Sequence, residues 1–210
     1  MKIIVDMMGG DNAPLAVLEG AAAAVKEYGV QLIGVGDEAL VRKTAADNNI
    51  SLDGIELVNC TEVIEMCDEP ARAIRTKKDS SIVVGLNMLK EGKGDAFVSA
   101  GSTGALHVGA SLIVRTLRGI KRPALATMVP AQNKAYLLLK DSVSDLKHQM
   151  DSEEYGGAPF LGAKQPVIKA HGSSKAKGIK NAIRQAKICV ENDLCGTMQA
   201  ALDELNTTKE

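Results

Sequence analysis

Short apolar runs alternate with helical patterns along the first two-thirds of the chain, and this alternation constrains the fold more than any other feature. The apolar runs predict strands, at residues 2–6, 31–35, 55–58, 95–98, 124–129 and 135–139. The helical patterns between them predict helices, at residues 15–28, 38–48, 80–91 and 105–116. Strands that are joined through helices run parallel and are covered on both faces. The sequence therefore predicts a three-layer α/β/α fold with a mainly parallel sheet.

The last third of the chain does not continue the regular alternation of predicted strands and helices. We expect residues 1–139 to form an N-terminal α/β domain, and residues 140–210 to form a C-terminal segment that packs on the same domain. The elements predicted for this segment are a short polar helix, a strand and two further helices, at residues 141–150, 167–170, 176–192 and 196–205. Residues 155–162 between them are glycine-rich, and no element is predicted there.

The segment from Val98 to Leu106, with the sequence VSAGSTGAL, is the strongest candidate for a ligand-binding loop. It follows a predicted strand and precedes a helix, at the edge of the sheet where α/β proteins bind ligands. Glycines, free N–H groups at a helix start and hydroxyl groups together make an anion-binding loop. The alternative is an ordinary turn with Ser102 or Thr103 as the N-cap of the helix. If the loop binds an anion, Gly101→Val is expected to block it at modest cost to the fold.

The turn after the first strand suggests a second class of function. Residues 9–11, Gly-Gly-Asp, lie where dinucleotide-binding folds carry the G-x-G-x-x-G fingerprint, but that fingerprint is absent. Asp37 resembles the acid that binds a ribose, and it serves equally well as a helix cap. A nicotinamide-dependent dehydrogenase is therefore a weak interpretation. Asp11 or Asn12 is expected to cap the helix at residues 15–28, with Pro14 in its first turn.

Two further segments carry candidate functional side chains. Four cations lie close together at Arg72, Arg75, Lys77 and Lys78. They form either a solvated basic surface or a docking surface for an acidic or phosphorylated partner. Residues 171–174, His-Gly-Ser-Ser, follow a strand, and His171 is a candidate proton donor or anion ligand. His107 lies in an apolar helical pattern and is expected to be a packed histidine.

Composition narrows the classes of function. A net charge of −1 and 2% aromatic residues argue against a nucleic-acid partner. The cysteine spacings match no zinc site or redox pair, so reduced thiols are expected at Cys60, Cys67, Cys189 and Cys195. No signal peptide or apolar run of spanning length occurs, so a cytoplasmic location is expected.

Six motifs, in order along the chain, resemble those of the bacterial phosphate acyltransferases. These are the fatty acyl-ACP:phosphate acyltransferases of phospholipid synthesis. The motifs are VDMMGGDNAP at 5–14, EPARAIR and KKDSS at 69–81, VSAGSTGAL at 98–106, GIKRPAL at 119–125, EYGGAP at 154–159 and HGSS at 171–174. Six ordered motifs are a far more specific signal than any single glycine loop.

The resemblance implies a homodimeric enzyme related to the isocitrate dehydrogenase and phosphotransacetylase folds. Such an enzyme converts an acyl-acyl carrier protein and inorganic phosphate into an acyl phosphate and the free carrier protein. The acyl phosphate then feeds a membrane glycerol-3-phosphate acyltransferase, so peripheral association with the membrane is expected. The resemblance implies neither a metal nor an organic cofactor.

The resemblance and the chemistry of the side chains assign three groups of site residues. Phosphate or oxyanion binding is expected at Gly101, Ser102, Thr103, Gly104, Gly9 and Gly10. Catalytic roles are expected for His171, Ser173 and Asp11. Docking of the carrier protein is expected at Arg72, Arg75, Lys77 and Lys78.

The chain departs from the family at one place. Near Leu139 it passes from the family's N-terminal half almost directly to its closing segment, so a long central stretch is missing. In the family, that stretch supplies further strands, part of the active-site cleft and helices of the dimer and membrane faces. The alternative function is therefore a shortened, catalytically impaired relative that binds the carrier protein or dimerises.

Overall fold

The computed structural model describes residues 1–131, 134–139 and 152–207, which form one mixed sheet flanked by helices. The strands are β1 (Lys2–Asp6), β2 (Gln31–Gly36), β3 (Ile55–Asn59), β4 (Ala96–Ser99), β5 (Ala124–Ala131), β6 (Lys134–Leu139), β7 (Gly157–Leu161) and β8 (Val167–Ala170). The helices are α1 (Leu15–Tyr28), α2 (Glu38–Asp47), α3 (Pro70–Thr76), α4 (Ser81–Lys90), α5 (Thr103–Gly109), α6 (Ser152–Tyr155), α7 (Ala176–Glu191) and α8 (Leu194–Thr207). A π-helical turn, Ala110–Val114, continues α5.

The strand order is β3-β2-β1-β4-β8-β7-β5-β6. The first five strands pair in parallel, and the last three pair antiparallel with their neighbours. β8 thus joins the sheet directly beside β4, so the C-terminal segment shares the sheet with the N-terminal part of the chain. The predicted α/β fold with a mainly parallel sheet is confirmed.

Two apolar cores cover the two faces of the sheet. On one face, Val5, Val98 and Ile168 pack against helices α1 and α7. On the other, Ile4 and Phe97 pack against α3, α4 and α5. The alternation of strand residues between the two cores follows from the two-residue period of a β-strand. Because the parallel strands are apolar on both faces, they read as continuous apolar runs in the sequence.

Most predicted elements that the structure describes agree with it to within a few residues, one predicted helix differs, and three observed elements, α3, α6 and β7, are not predicted. The strand β7 was not predicted, because its sequence GAPFL contains glycine and proline. The predicted helix at 105–116 is instead α5 followed by the π-helical turn. The predicted helix at 141–150 lies outside the described residues and stays a prediction.

The predicted cap of α1 is wrong. Pro14 occupies the N-cap position of α1, and no side chain of the described residues caps the helix. The Asn12 side chain instead donates to the carbonyls of Ser173 and Ser174, at 3.1 and 3.3 Å. The Asn12 side chain therefore joins the β1 and β8 loops and does not form the local N-cap hydrogen bond that was expected.

Candidate active site

The loops after β1, β4 and β8 meet at the carboxyl edge of the sheet, because these three strands are neighbours. The Asp11 N–H donates to the Gly172 carbonyl at 2.8 Å, which ties the β1 loop to the β8 loop. A Cβ on Gly10 would lie 3.0 Å from the Ala100 Cβ, so the β1 loop also abuts the β4 loop. The structure therefore brings together the sequence motifs at residues 5–14, 98–106 and 171–174.

Asp6, at the end of β1, is the polar centre of this edge and is only 1% exposed. Its Oδ2 accepts from the Ser99 hydroxyl at 2.6 Å, and its Oδ1 accepts from the Met8 N–H at 3.0 Å. Ser99 Oγ in turn accepts from the Gly101 N–H at 2.9 Å. Burial raises the pKa of Asp6, while hydrogen bonds from Ser99, Ser81 and the backbone oppose that rise. This carboxyl group fixes the β1 and β4 turns relative to each other.

Glycine is required where these two turns touch. A Cβ on Gly9 would lie 2.5 Å from Asp6 Oδ2 and 2.6 Å from the Gly101 nitrogen. At Gly101 itself, a Cβ would lie 3.1 Å from Ile82 Cδ1 and 3.2 Å from Ser99 Oγ. A valine would add two methyl groups to this tight, buried position. Gly101→Val is therefore expected to disturb the fold as well as the loop, which corrects the expectation of a modest cost.

The start of α5 supplies the candidate anion-binding donors. Ser102 is the N-cap, since its hydroxyl accepts from the Ala105 N–H at 3.3 Å. The Gly101 N–H is already donated within the protein, so it is not free to bind an anion. Among the described residues, no acceptor takes the N–H groups of Ser102, Thr103 and Gly104. These three donors lie at the positive end of the helix dipole.

The β8 loop places His171 and Ser173 beside the β1 loop, and both are exposed. The Ser173 N–H donates to His171 Nδ1 at 3.3 Å, and the Ser173 hydroxyl lies 2.9 Å from the same nitrogen. Because Nδ1 accepts a backbone N–H, the proton of the neutral imidazole lies on Nε2. His171 can therefore offer an N–H donor to a ligand. The third predicted catalytic residue, Asp11, is also exposed on this side.

The four predicted docking cations lie on and after α3, and the structure divides them into two pairs. Arg72 and Arg75 are exposed on the helix. Lys77 Nζ donates to Asp68 at 2.6 Å and to the Val63 carbonyl at 2.8 Å. Lys78 Nζ lies 3.3 Å from the Ile74 carbonyl. The two arginines are thus the cations most available to a partner, and Lys77 has a structural contact.

Sequence reasoning missed Lys169, which is buried at 8% exposure in β8. Its ammonium group donates to the Ala100 carbonyl at 3.2 Å and to the Ala170 carbonyl. Burial lowers the pKa of Lys169 to about 8, and the charges of Asp6 and Asp11 oppose that fall. The signal that could have found it is a lysine inside an otherwise apolar strand, three residues after Pro166.

Two residues weighed in the sequence have structural roles. Asp37 caps α2, because its side chain accepts from the Leu40 N–H at 2.9 Å. His107 is half-buried, and its Nε2 lies 2.9 Å from the Pro123 carbonyl, with its ring 6.0 Å from that of Phe160. The helix-cap interpretation of Asp37 and the packing interpretation of His107 therefore agree with the structure.

The cysteines and the described acidic side chains form no metal centre. All four cysteines are free thiols. Within residues 1–131, 134–139 and 152–207, no group of three histidine, cysteine or acidic side chains is placed to hold a metal ion. In the same residues, no helix is long and apolar enough to span a membrane.

Comparison with known families decides between the classes of function. The model of the family described as "Fatty acid synthesis protein" matches residues 1–139 and 133–197. A phosphate acyltransferase from Clostridioides difficile is 48% identical, in an alignment covering 88% of this chain and 91% of that protein. The chain belongs to the phosphate acyltransferase family. Phosphate acyltransferases are acyl-transferring enzymes, so the dehydrogenase interpretation is set aside.

Further relatives agree with this assignment. A phosphate acyltransferase from Thermoanaerobacterium thermosaccharolyticum is 30% identical, covering 97% of both chains. A crystal structure of a phosphotransacetylase from Streptococcus pyogenes superposes with a TM-score of 0.50 at 20% identity. That superposition covers 65% of this chain and 45% of the other, and it supports the fold.

The chain is shorter than its phosphate acyltransferase relatives in one internal region. The alignment with the Clostridioides difficile protein runs over 310 positions, which exceeds the 210 residues of the whole chain. The family matches in two segments that meet at residues 133–139. The relatives therefore contain a stretch with no counterpart here, close to the end of β6.

Proposed function

We propose that this phosphate acyltransferase transfers a fatty acyl group from acyl-acyl carrier protein to inorganic phosphate, as a step of phospholipid biosynthesis. The observation that carries the proposal is the meeting of three family motifs at one sheet edge, in a chain 48% identical to a phosphate acyltransferase. The motif loops present backbone donors, hydroxyl groups and an imidazole. Those are groups suited to an anion and a polarised carbonyl.

The reaction needs little from the protein except positioning and charge stabilisation. A phosphate oxygen attacks the thioester carbonyl carbon, forming a C–O bond and a tetrahedral oxyanion. The C–S bond then breaks, and the carrier's thiolate leaves with the electron pair. Since an ordinary thiol has a pKa of about 8.5, the thiolate is a good leaving group. No serine or cysteine nucleophile is required, because phosphate itself attacks.

The start of α5 suits the phosphate or oxyanion. The donors assigned to it are the N–H groups of Ser102, Thr103 and Gly104, which no acceptor takes within the described part of the chain. Gly9 and Gly10 form the adjoining wall, where their lack of side chains lets the β1 loop pack closely against the β4 and β8 loops. Gly101 contributes by holding the turn rather than by donating to the ligand.

The β8 loop suits proton transfer. The Nε2–H of His171 is the candidate donor to the developing oxyanion or to the departing thiolate. Ser173 sets the orientation of this imidazole through its N–H and hydroxyl groups. Asp11 is assigned to the same catalytic group because its backbone N–H is joined to Gly172 beside His171.

Arg72 and Arg75 are the proposed docking residues for the acidic carrier protein or its phosphopantetheine group. Both guanidinium groups are exposed on α3, which begins beside the candidate anion loop, since Gly104 abuts Pro70. Lys77 and Lys78 extend the positive surface, although Lys77 forms an ion pair with Asp68. A homodimer, a peripheral membrane location and delivery of acyl phosphate to a membrane glycerol-3-phosphate acyltransferase complete the proposal.

The reaction is tested directly by incubating the protein with palmitoyl-carrier protein and radiolabelled phosphate. Acyl phosphate is the expected product, and a longer phosphate acyltransferase relative is the positive control. Absence of product beside a working relative would overturn the enzymatic proposal for this chain.

The anion loop is tested by Thr103→Pro, which removes one N–H donor while keeping the helix start. Thr103 is exposed in the first position of α5, where proline is well tolerated, and the ψ of Ser102 is 117°, outside the helical range that a following proline disfavours. The KM for phosphate should rise about tenfold or more, because a hydrogen bond to a charged group is lost. The control Thr103→Ala keeps the N–H and should retain the phosphate KM. An unchanged KM in both variants would contradict the assignment.

A second function is favoured by the missing internal stretch: a catalytically impaired module that binds the carrier protein. Under this alternative, carrier binding persists without turnover and weakens in the Arg72→Glu, Arg75→Glu double variant. The matched control reverses the exposed cations Lys43 and Lys90, which lie on other helices. Equal weakening by both double variants would indicate a general charge effect and no docking site at α3.

A further inference from the structure

Three polar side chains form a row across three neighbouring strands at the carboxyl edge of the sheet. Ser99 of β4 is paired in register with Lys169 of β8. Asp6 of β1 follows Val5, which is paired with the residue before Ser99, so Asp6 lies at the same level. All three are buried, at 1%, 1% and 8% exposure for Asp6, Ser99 and Lys169. Such a row in a buried sheet is a costly arrangement that packing alone does not explain.

The row faces the side of the sheet that carries the candidate anion loop. Residues two positions before each member, Ile4, Phe97 and Val167, belong to the core that packs against α3, α4 and α5. Because strand side chains alternate between faces, Asp6, Ser99 and Lys169 share that face. Lys169 therefore lies on the same side of the sheet as the start of α5.

Lys169 has no carboxylate partner in the part of the chain that the structure describes. Its ammonium group donates to two backbone carbonyls, those of Ala100 and Ala170. An ammonium group has three protons to donate, so one is uncommitted. The nearest member of the row with opposite charge, Asp6, directs its oxygens to Ser99 and Met8. A buried cation without an ion pair is unfavourable unless another anion completes the site.

We propose that Lys169 is an anion-binding residue of the site, which donates its third ammonium proton to inorganic phosphate. This inference rests on the proposed function. The contact with Ala100 places the ammonium group at the turn that enters the candidate anion-binding loop, since Ala100 precedes Gly101. Phosphate would supply a negative charge to pair with Lys169, and Lys169 would add a full positive charge beside the neutral N–H donors of Ser102, Thr103 and Gly104.

Substitutions at Lys169 can distinguish a role of its charge from a role of its hydrogen bonds to the backbone. A merely structural lysine would need only to hold the Ala100 carbonyl, and a glutamine amide can make that contact without a charge. An anion-binding lysine needs the charge itself, which an arginine keeps and a glutamine or a methionine loses. The substitutions Lys169→Gln, Lys169→Arg and Lys169→Met therefore give different patterns for the two roles.

The test is a calorimetric titration of the protein with inorganic phosphate in the absence of any acyl donor. K169Q and K169M should bind phosphate about tenfold to a hundredfold more weakly than the wild-type protein, while K169R stays closest to it. The control Lys164→Met removes an exposed lysine before β8 and should leave the affinity unchanged. Circular dichroism identifies variants that fail to fold, and the K169R and K169Q pair decides the outcome if K169M is unfolded.

The pH dependence of phosphate binding is a second readout. Because the pKa of Lys169 is about 8, wild-type affinity should fall as the pH rises above 8, when the ammonium group loses its proton. The charged groups that act on it are the carboxylates of Asp6 and Asp11. K169R should lack this alkaline fall relative to the wild-type protein, since a guanidinium group stays charged.

Two results overturn the inference, and they are distinguishable. If the wild-type protein binds phosphate and K169Q binds it equally well, Lys169 is not an anion-binding residue and the proposed function stands. If the wild-type protein has no affinity for phosphate, both the inference and the proposed function fail.

Discussion

The charged group of Lys169 is buried, so the free energy of unfolding of the protein should depend on pH. Its pKa falls from 10.5 to about 8 on folding, because burial disfavours the ammonium form. Between these two values the folded state binds fewer protons than the unfolded state. The free energy of unfolding should therefore rise with pH across this window, by about 3 kcal/mol from this group alone.

Urea unfolding at pH 7.5 and pH 10.5, followed by circular dichroism, measures this rise. The comparison is between the wild-type protein and Lys169→Met, because other groups titrate over the same range. The wild-type protein should gain stability relative to the variant as the pH rises, and Lys164→Met should behave like the wild-type protein. An identical pH dependence in all three proteins would show that Lys169 is not buried as a charge.

Single residues also show where sequence reasoning was limited. The motifs at residues 9–11, 98–106 and 171–174 were readable because glycines and hydroxyl residues follow apolar strands. Asp6, Ser99 and Lys169 were not assigned to the site, because each lies at or next to the last residue of a strand and no local pattern links three separate strands. Only the strand order, with β4 between β1 and β8, shows that they form one row.

At the scale of elements, helix ends are fixed by local contacts, for which the sequence offers candidates without deciding between a capping and a ligand-binding role. Asp37 was expected to be either a ribose-binding acid or a cap, and the structure assigns it to the cap of α2. Asp37→Ala should therefore lower the free energy of unfolding by about 1 kcal/mol, since an N-cap hydrogen bond is lost. Asp37→Asn, which keeps an acceptor oxygen, should lose less. Chemical denaturation measures both, and equal losses would contradict a capping role.

The strand β7 shows why a glycine-rich segment can still be a strand. A Cβ on Gly157 would lie 2.8 Å from Ile168 Cγ2 and 3.1 Å from Ala182 Cβ. A Cβ on Gly156, which has φ +74°, would lie only 2.3 Å from the Ala182 nitrogen of α7. The glycines therefore allow α7 to pack directly on the sheet, a requirement of tertiary packing that strand propensity does not include.

At the scale of the whole molecule, the two ends of the chain share one core. α7 packs against α1, and Ile183 of α7 is fully buried in the core that contains Ile3 and Val98. Ile183→Ala should cost about 2–5 kcal/mol of stability, because a large buried side chain is removed. Hydrogen exchange should report this loss in β1 as well as in α7, since both belong to one cooperative unit.

The control for this prediction lies on the same helix. Ile188 is 41% exposed, so Ile188→Ala should cost far less than Ile183→Ala. A loss of protection confined to α7 in the Ile183→Ala variant would indicate that the C-terminal segment unfolds independently of the N-terminal strands.

The direction of the last antiparallel strands has a consequence for how this family can vary. β7 is antiparallel to β8 and pairs Gly157 with Ala170, so it begins at the edge of the sheet where His171 lies. β6 runs in the same direction as β7, because both pair antiparallel with β5, and so β6 ends at the opposite edge. β6 therefore ends at the edge opposite the candidate site, whereas β7 begins at the edge that carries it. The additional stretch of the relatives falls close to the end of β6, so it enters the chain at the edge of the sheet remote from the candidate site.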